Sequence, residues 1–282
     1  GQVGGYTQNT TGPNGNDMDD EQLHRHMHIP LRFWFCKNPG LALPLIALQY
    51  HEVKVNLNHR IATLFNQGVI ANKLWVDYIY LDTDERRRFA QVSHEYLIEQ
   101  VQERRLQTNS GDHELNFNHP VKELIWAGNH ANTGNVDDVA GFNAGDGNIG
   151  LCGTSISNVT ANESCTFHLK LNGHDRFSPR QSTYFSRLQV NEYHSGYGGL
   201  DVQGTNITKQ VSNGGGCLNG ICVYSFALKP EEHQPSGTCN FSRIDSAHLV
   251  SSDELRPNVD CYAINYNVLR IMSGMGGLAY SN

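Results

Sequence analysis

The chain has 282 residues, enough to bury a substantial core in one or two domains, and its 38% hydrophobic and 17% charged content with 28 glycines fits an all-β protein with long polar loops. Its 28 acidic and 21 basic side chains leave a formal net charge of −7, which excludes a global basic footprint for nucleic acid. No apolar run reaches the ~20 residues of a membrane-spanning helix; the longest, Leu41 to Leu48, is broken by Pro44.

Residues 1–24 are rich in Gly, Asn, Thr and Asp and read as a loop. Ile29-Pro-Leu-Arg-Phe-Trp-Phe35 reads as a strand with Pro30 near its start, and Asn38-Pro39-Gly40 as a turn. Leu41 to Leu48 reads as a short buried helix or an irregular apolar segment. Gln49 to Asn56 alternates, and Leu74 to Leu81 is rich in β-formers, so both read as strands. Asp82-Thr83-Asp84-Glu85 predicts a helix start with Thr83 as N-cap, and Arg86-Arg87-Arg88 reads as the solvated face of that linker.

A new strand series opens at His94 to Gln102, followed by Leu115 to Asn118 and Glu123 to Trp126, with His119-Pro120 as a bend between the last two. Two long polar tracts, at about 128–163 and 195–216, then interrupt the strands. Between them lie Cys165 to Leu171 and a segment around Tyr184 to Val190. The closing strands are Ile221 to Leu228, Asn240 to Ile244 and Tyr262 to Ile271. Within Phe226 to Asp245, Pro230 and Pro235 bracket a turn where a strand cannot continue. About seven or eight short strands after residue 93 describe a β-sandwich of jelly-roll type. Upstream of residue 82 only about three strands are read, which leaves strand edges and an apolar face uncovered. Further residues upstream of Gly1, or another chain, are expected to complete that sheet. The opening Gly-Gln-Val-Gly-Gly, without an initiator Met or secretory leader, reads as a chain that begins inside a longer protein or after processing.

Several stretches carry a family resemblance. They are Pro39 to Lys54, Trp75 to Arg86, Arg88-Phe-Ala-Gln91, His94 to Gln100, Leu115-Asn-Phe-Asn-His-Pro120, Phe226 to Asp245 and Tyr266 to Tyr280. In order along the chain, they resemble the double jelly-roll major capsid proteins of nucleo-cytoplasmic large DNA viruses, most closely those infecting chlorella. The tracts at 128–163 and 195–216 match poorly. The resemblance implies an all-β fold of two tandem eight-stranded sandwiches, the first only partly present here. It divides the chain into residues 1–82 (the later part of the first jelly roll), a linker at 83–92, and a second jelly roll at 93–282. It also implies a structural, non-enzymatic protein of the virion. Three copies would form a pseudo-hexagonal capsomer of an icosahedral shell assembled in the host cytoplasm. Neighbouring capsomers, minor capsid proteins and covalent glycans would be its partners, with the inner viral membrane met only indirectly and nucleic acid not at all.

Five sequons occur, at Asn9, Asn158, Asn162, Asn206 and Asn240. Asn240 falls in a predicted strand and reads as structural; Asn158, Asn162 and Asn206 fall in the long loops and are glycosylation candidates. By the resemblance, glycans of these capsid proteins sit on loop Asn residues between small neighbours and before Thr or Ile. Asn132 and Asn148 have that setting and join the candidates; the competing reading is a turn-forming Asn-Gly loop. Asn219-Gly220 is a favoured two-residue hairpin turn that would set Cys217 opposite Cys222 within disulfide range. The competing reading is two reduced thiols, because seven scattered cysteines favour a largely reduced protein.

His24, His26 and His28 alternate, yet no Cys or carboxylate is spaced to finish a metal shell, so no metal or cofactor is expected. Asp82, Asp84 and Glu85 fit a helix N-terminus better than a pair of carboxyls across a sugar cleft. No Gly-x-Ser-x-Gly elbow or phosphate loop is present. Apart from the capsid reading, the main alternative is a carbohydrate-binding β-sandwich, either a lectin or a host-attachment protein. That role calls for exposed loop aromatics, and the 128–163 tract holds only Phe142.

Overall fold

A computed structural model of the chain describes residues 30–57, 73–107, 111–128, 165–195, 221–255 and 259–280. From residue 94 onward these form two facing antiparallel sheets. The first contains β1 (His94–Arg105), β3 (Pro120–Gly128), β7 (Ile221–Ser225) and β10 (Val259–Met272), in the order β1-β10-β3-β7. A short β8 (Cys239–Asn240) adds to β3, and β11 (Met275–Leu278) folds back on β10. The second sheet has the order β2-β9-β4-β5, from β2 (Asp112–Glu114), β9 (Ala247–Ser251), β4 (Thr166–Leu171) and β5 (His174–Asp175), with β6 (Arg180–Gln181) on β4.

Alternation explains these strands. In β4, Phe167 and Leu169 point inward and are almost fully buried, and in β9 Ala247, Leu249 and Ser251 do the same. They meet Leu124 and Trp126 of β3 and Cys261 and Ala263 of β10 across the sandwich. Trp126 stands edge-on to Phe167 at 5.4 Å and packs on Phe185 at 5.1 Å, aromatic geometry that adds to the area buried. The β1–β10 ladder is held at both ends by directly opposed charges: Arg105 on Asp260 at 2.9 Å and Arg270 on Glu95 at 2.7 Å. Between them, buried Asn265 accepts from Gln102 at 2.9 Å, while buried Asn267 donates to Gln100 at 3.1 Å and to the Tyr280 carbonyl at 2.9 Å.

Several expected elements take a different form. Tyr184 to Val190 is helical: a π turn Tyr184–Leu188 runs into the helix Gln189–Tyr193, burying Phe185, Ser186 and Gln189 at helical spacing. Leu115 and Phe117 are buried as their alternation suggests, but the ladder lies one step earlier, in β2. The strand expected after Asn240 is instead a single 3-10 turn, Phe241–Arg243. Upstream of His94 there is no ladder among the described residues. Trp34–Cys36 is a 3-10 turn, Gln49 and Tyr50 lie in a turn, and residues 51–56 and 74–81 belong to no helix or strand. Trp75 and Tyr80 are accordingly 82% and 91% exposed. The helix Thr83–Gln91 separates this part from the sandwich. Its N-cap is Asp82, one residue before the expected Thr83, because the Asp82 carboxylate accepts from the Glu85 N–H at 2.8 Å.

Candidate functional site

The chemistry of this molecule concentrates where four segments meet on one flank of the first sheet. The β10–β3 register steps from Ile264↔Glu123 to Asn265↔Val121, so Lys122 is the extra residue of a bulge. A bulge re-aims its side chain, and here a fully buried lysine results. Its ammonium donates to the Pro230 carbonyl at 2.6 Å, faces Glu99 of β1 at 2.9 Å, and lies 5.6 Å from the Tyr266 ring centroid. Lys37, from the segment before the sandwich, holds both oxygens of the same Glu99 at 2.8 Å and reaches the Glu231 carbonyl at 3.4 Å. One carboxylate is therefore shared by two ammonium groups from distant parts of the chain. Burial, reinforced by the charges of Glu99 and Glu123, pushes the Tyr266 phenol up to about 12, so it stays neutral here.

The corner itself is Phe226 to Asp245. The Phe226 and Ala227 N–H groups both donate to the Lys122 carbonyl, and the Ser225 hydroxyl donates to the Ala227 carbonyl at 2.6 Å. The Lys229 N–H donates to the Ser236 hydroxyl at 2.9 Å, closing the turn that Pro230 and Pro235 bracket. Gly237 has φ +149°, and a Cβ there would sit 2.7 Å from the Phe226 carbonyl oxygen. Only glycine lets the two limbs approach this closely. His119, at φ +66°, makes the expected bend before β3. Its N–H donates to the Ser242 hydroxyl at 2.8 Å, and its carbonyl accepts from the Phe241 N–H.

A second charge group adjoins the first. His194, just past the Gln189–Tyr193 helix, places Nε2 3.1 Å from Glu123 and Nδ1 3.4 Å from Glu231. The Glu123 contact is a charge pairing whose angle falls outside hydrogen-bond alignment. That contact raises the imidazolium against the opposing effect of burial, and Glu231 adds to it. Burial alone would raise Glu231, but hydrogen bonds from Ser195 and the charge of His194 outweigh it and hold the carboxyl low. Along the Tyr184–Leu188 turn an open surface depression of about 680 Å³ presents Arg180, Arg187, Gln181 and Asn191, with the Arg180 guanidinium over the Tyr184 ring at 4.2 Å.

Most residues singled out from sequence do not gather here. Asn132, Asn148, Asn158, Asn162, Asn206 and Cys217 lie outside the described residues, as do Asn9, His24, His26 and His28. Cys222 is a buried thiol of β7, its Sγ 3.7 Å from the Ser182 carbonyl oxygen. Asn240 accepts from the Ser242 N–H at 3.1 Å and caps the following turn, a structural use of a sequon residue. Asp82, Asp84 and Glu85 form the helix N-terminus. Cys165 is in a disulfide whose other half lies outside the described residues. That bond is an exception to the mostly reduced cysteines expected from their scatter. Lys37, Glu99, Lys122, Glu123 and His194 gave no sequence signal, because each is an ordinary charge on its own segment and only tertiary pairing brings them together.

Comparison with known proteins follows the same geography. A family model described as "Large eukaryotic DNA virus major capsid protein" matches residues 85–198 and 212–277, and one described as "Major capsid protein N-terminus" matches residues 7–82. The major capsid protein of Pyramimonas orientalis virus is 50% identical over 269 residues, covering 92% of this chain and 62% of that protein. That of Paramecium bursaria Chlorella virus 1 is 38% identical over 313 residues, covering 92% and 67%. This chain thus spans roughly two thirds of their length. Among solved structures, PBCV-1 VP54 fitted into a reconstruction of the virophage Sputnik superposes with a TM-score of 0.62 at 37% identity, over 91% of this chain and 70% of that one. A quasi-atomic model of the PBCV-1 capsid gives 0.60 at 38% identity. These matches, running through both the segments before residue 83 and the sandwich, place the chain in the family of large eukaryotic DNA virus major capsid proteins, with the all-β double jelly-roll fold.

Proposed function

We propose that this protein is the shell-forming subunit of an icosahedral large DNA virus, and that it acts by assembly rather than catalysis. Three copies close into a pseudo-hexagonal capsomer, each contributing two similar lobes, and capsomers then tile against one another and against minor capsid proteins in the virion. The observation that carries this reading is the joint at Lys37, Glu99 and Lys122. It ties the segment before the sandwich to the sandwich through Lys37, which shares Glu99 with the buried Lys122. A tile made of two lobes needs such a rigid joint, because neighbours on every side read the angle between them. Residues 1–82 and 93–282 are the two lobes on this reading, with 83–92 as the linker.

Loop asparagines Asn132, Asn148, Asn158, Asn162 and Asn206 are the proposed glycan attachment points, and the host cytoplasm is the proposed place of assembly. Light scattering on particle-derived protein tests the main claim. A trimer of subunits heavier than the 31.4 kDa of this sequence supports it, while a stable monomer that binds free sugars would replace it with the carbohydrate-binding reading. Glycopeptide mapping then reads the five asparagines individually.

A further inference from the structure

We propose that His194 is a proton-operated clasp: its imidazolium holds the end of the Gln189–Tyr193 helix and Ser195 against β3 and the Pro230–Glu231 corner, and loss of its proton releases them.

The geometry is specific. The ring lies between two carboxylates from different elements, Glu123 of β3 at 3.1 Å and Glu231 of the corner at 3.4 Å. Glu123 is almost fully buried, its side chain 5% exposed, while Glu231 is about half exposed. The Ser195 N–H donates to Glu231 at 2.9 Å, so the residue after the histidine is fastened to the same carboxylate. The other charged groups of this flank already have partners. Lys122 and Lys37 are taken by Glu99, Lys37 also touches the Glu231 carbonyl, and the Tyr266 phenol stays neutral. Among the described residues, His194 is thus the cation facing Glu123. A buried carboxylate that loses its counter-ion is strongly destabilising, so the elements must part to let water reach it.

The sign follows from linkage. A histidine raised above its ordinary 6.5 on folding contributes its full stabilisation below about that pH, and the contribution is lost as pH rises through the folded value. Glu231 is held low, so its share is present above the ordinary carboxylate range and is lost as pH falls through its folded value. The clasp is closed between these limits and opens first on the alkaline side.

Native-state hydrogen exchange of the full chain from about pH 6 to about pH 9, corrected for intrinsic rates, tests this. Protection of amides in 189–195 and 228–236 is expected to fall by up to about tenfold per pH unit above pH ~6.5, then level off once His194 has released its proton. Amides of β4 serve as the reference and should stay flat. In His194→Gln the slope in those two segments should vanish. Parallel profiles in wild type and variant, or no slope in wild type, would overturn the proposal. If His194→Gln does not fold, Glu231→Gln leaves the buried pair intact and should move the midpoint to lower pH; an unmoved midpoint overturns the proposal equally.

Discussion

Lys37 and Glu99, 62 residues apart, meet with both carboxylate oxygens 2.8 Å from one ammonium, and the same carboxylate neutralises the buried Lys122 at 2.9 Å. The two lysines are not equivalent. Lys37 keeps about a quarter of its surface in water, whereas Lys122 keeps almost none. Replacing Glu99 by Gln leaves a buried ammonium without the carboxylate that faces it, and should cost ~3–5 kcal/mol. Lys37→Met should cost only ~1 kcal/mol, because Glu99 retains Lys122. Urea midpoints at constant slope measure both. Equal losses would mean that burial of Lys122 does not set the energetics of the joint.

Gly274 is the second test of the joint. The β10–β11 turn lies against the upstream segment: the Tyr50 N–H donates to the Gly274 carbonyl at 3.0 Å, and the Gly276 N–H donates to His51 Nδ1 at 3.0 Å. Gly274 has φ +82°, and a Cβ there would meet the Tyr50 ring at 2.7 Å. Gly274→Ala should therefore cost ~1–3 kcal/mol and speed exchange of the Tyr50 amide. Gly277→Ala, where a Cβ meets open space, is the control and should leave that amide unchanged.

The junction helix gives a local prediction. Asp82→Ala removes the acceptor for the Glu85 N–H and should lower helix stability by ~1 kcal/mol, while Thr83→Ala should do little. None of the helix is buried, so the effect should appear in exchange at Glu85 and not in global unfolding.

Thiol chemistry separates the cysteines. Cys36 is exposed, and Cys261 is fully buried, its thiol pushed up by desolvation. Brief alkylation of the native, unreduced protein should modify Cys36, spare Cys261, and leave Cys165 unmodified until a reductant is added. Modification of Cys261 at the rate of Cys36 would mean that the sandwich opens far more often than its packing allows.

Burial is written as alternation most plainly in β4, where Phe167, Leu169 and Leu171 recur every second position. β1, β3 and β10 are legible as runs of β-forming residues, although the alternate positions that β10 buries include Cys261, Ala263, Asn265 and Asn267. β9 and β11 were missed for a physical reason. Ala-His-Leu-Val-Ser is short and half polar, and Met-Gly-Gly-Leu carries two glycines, so each becomes a strand only when a long neighbour supplies the ladder. The Tyr184 segment is aromatic enough for a strand, but its buried positions fall at helical spacing, a distinction seven residues hardly express. Before residue 82 the β-rich runs are real in composition, yet a strand is defined by its partner, and among the described residues those partners are not present. The charge joint was not legible at all, since a lysine at a bulge reads like any surface lysine until the register that buries it is known.

The place of β10 has a consequence for how the molecule is made. It is the inner strand between β1 and β3, yet along the chain it comes after every strand it joins except β11. A ribosome delivers β1, β3 and β7 long before the strand that unites them. Until residues 259–272 emerge, β1 has no neighbour in its own sheet and β3 has one open side. Nascent chains therefore carry unpaired, aggregation-prone edges from the emergence of β1 until β10 follows. Sheet closure is in effect a late step: a chain truncated before residue 259 lacks the strand that, among the described residues, pairs β1.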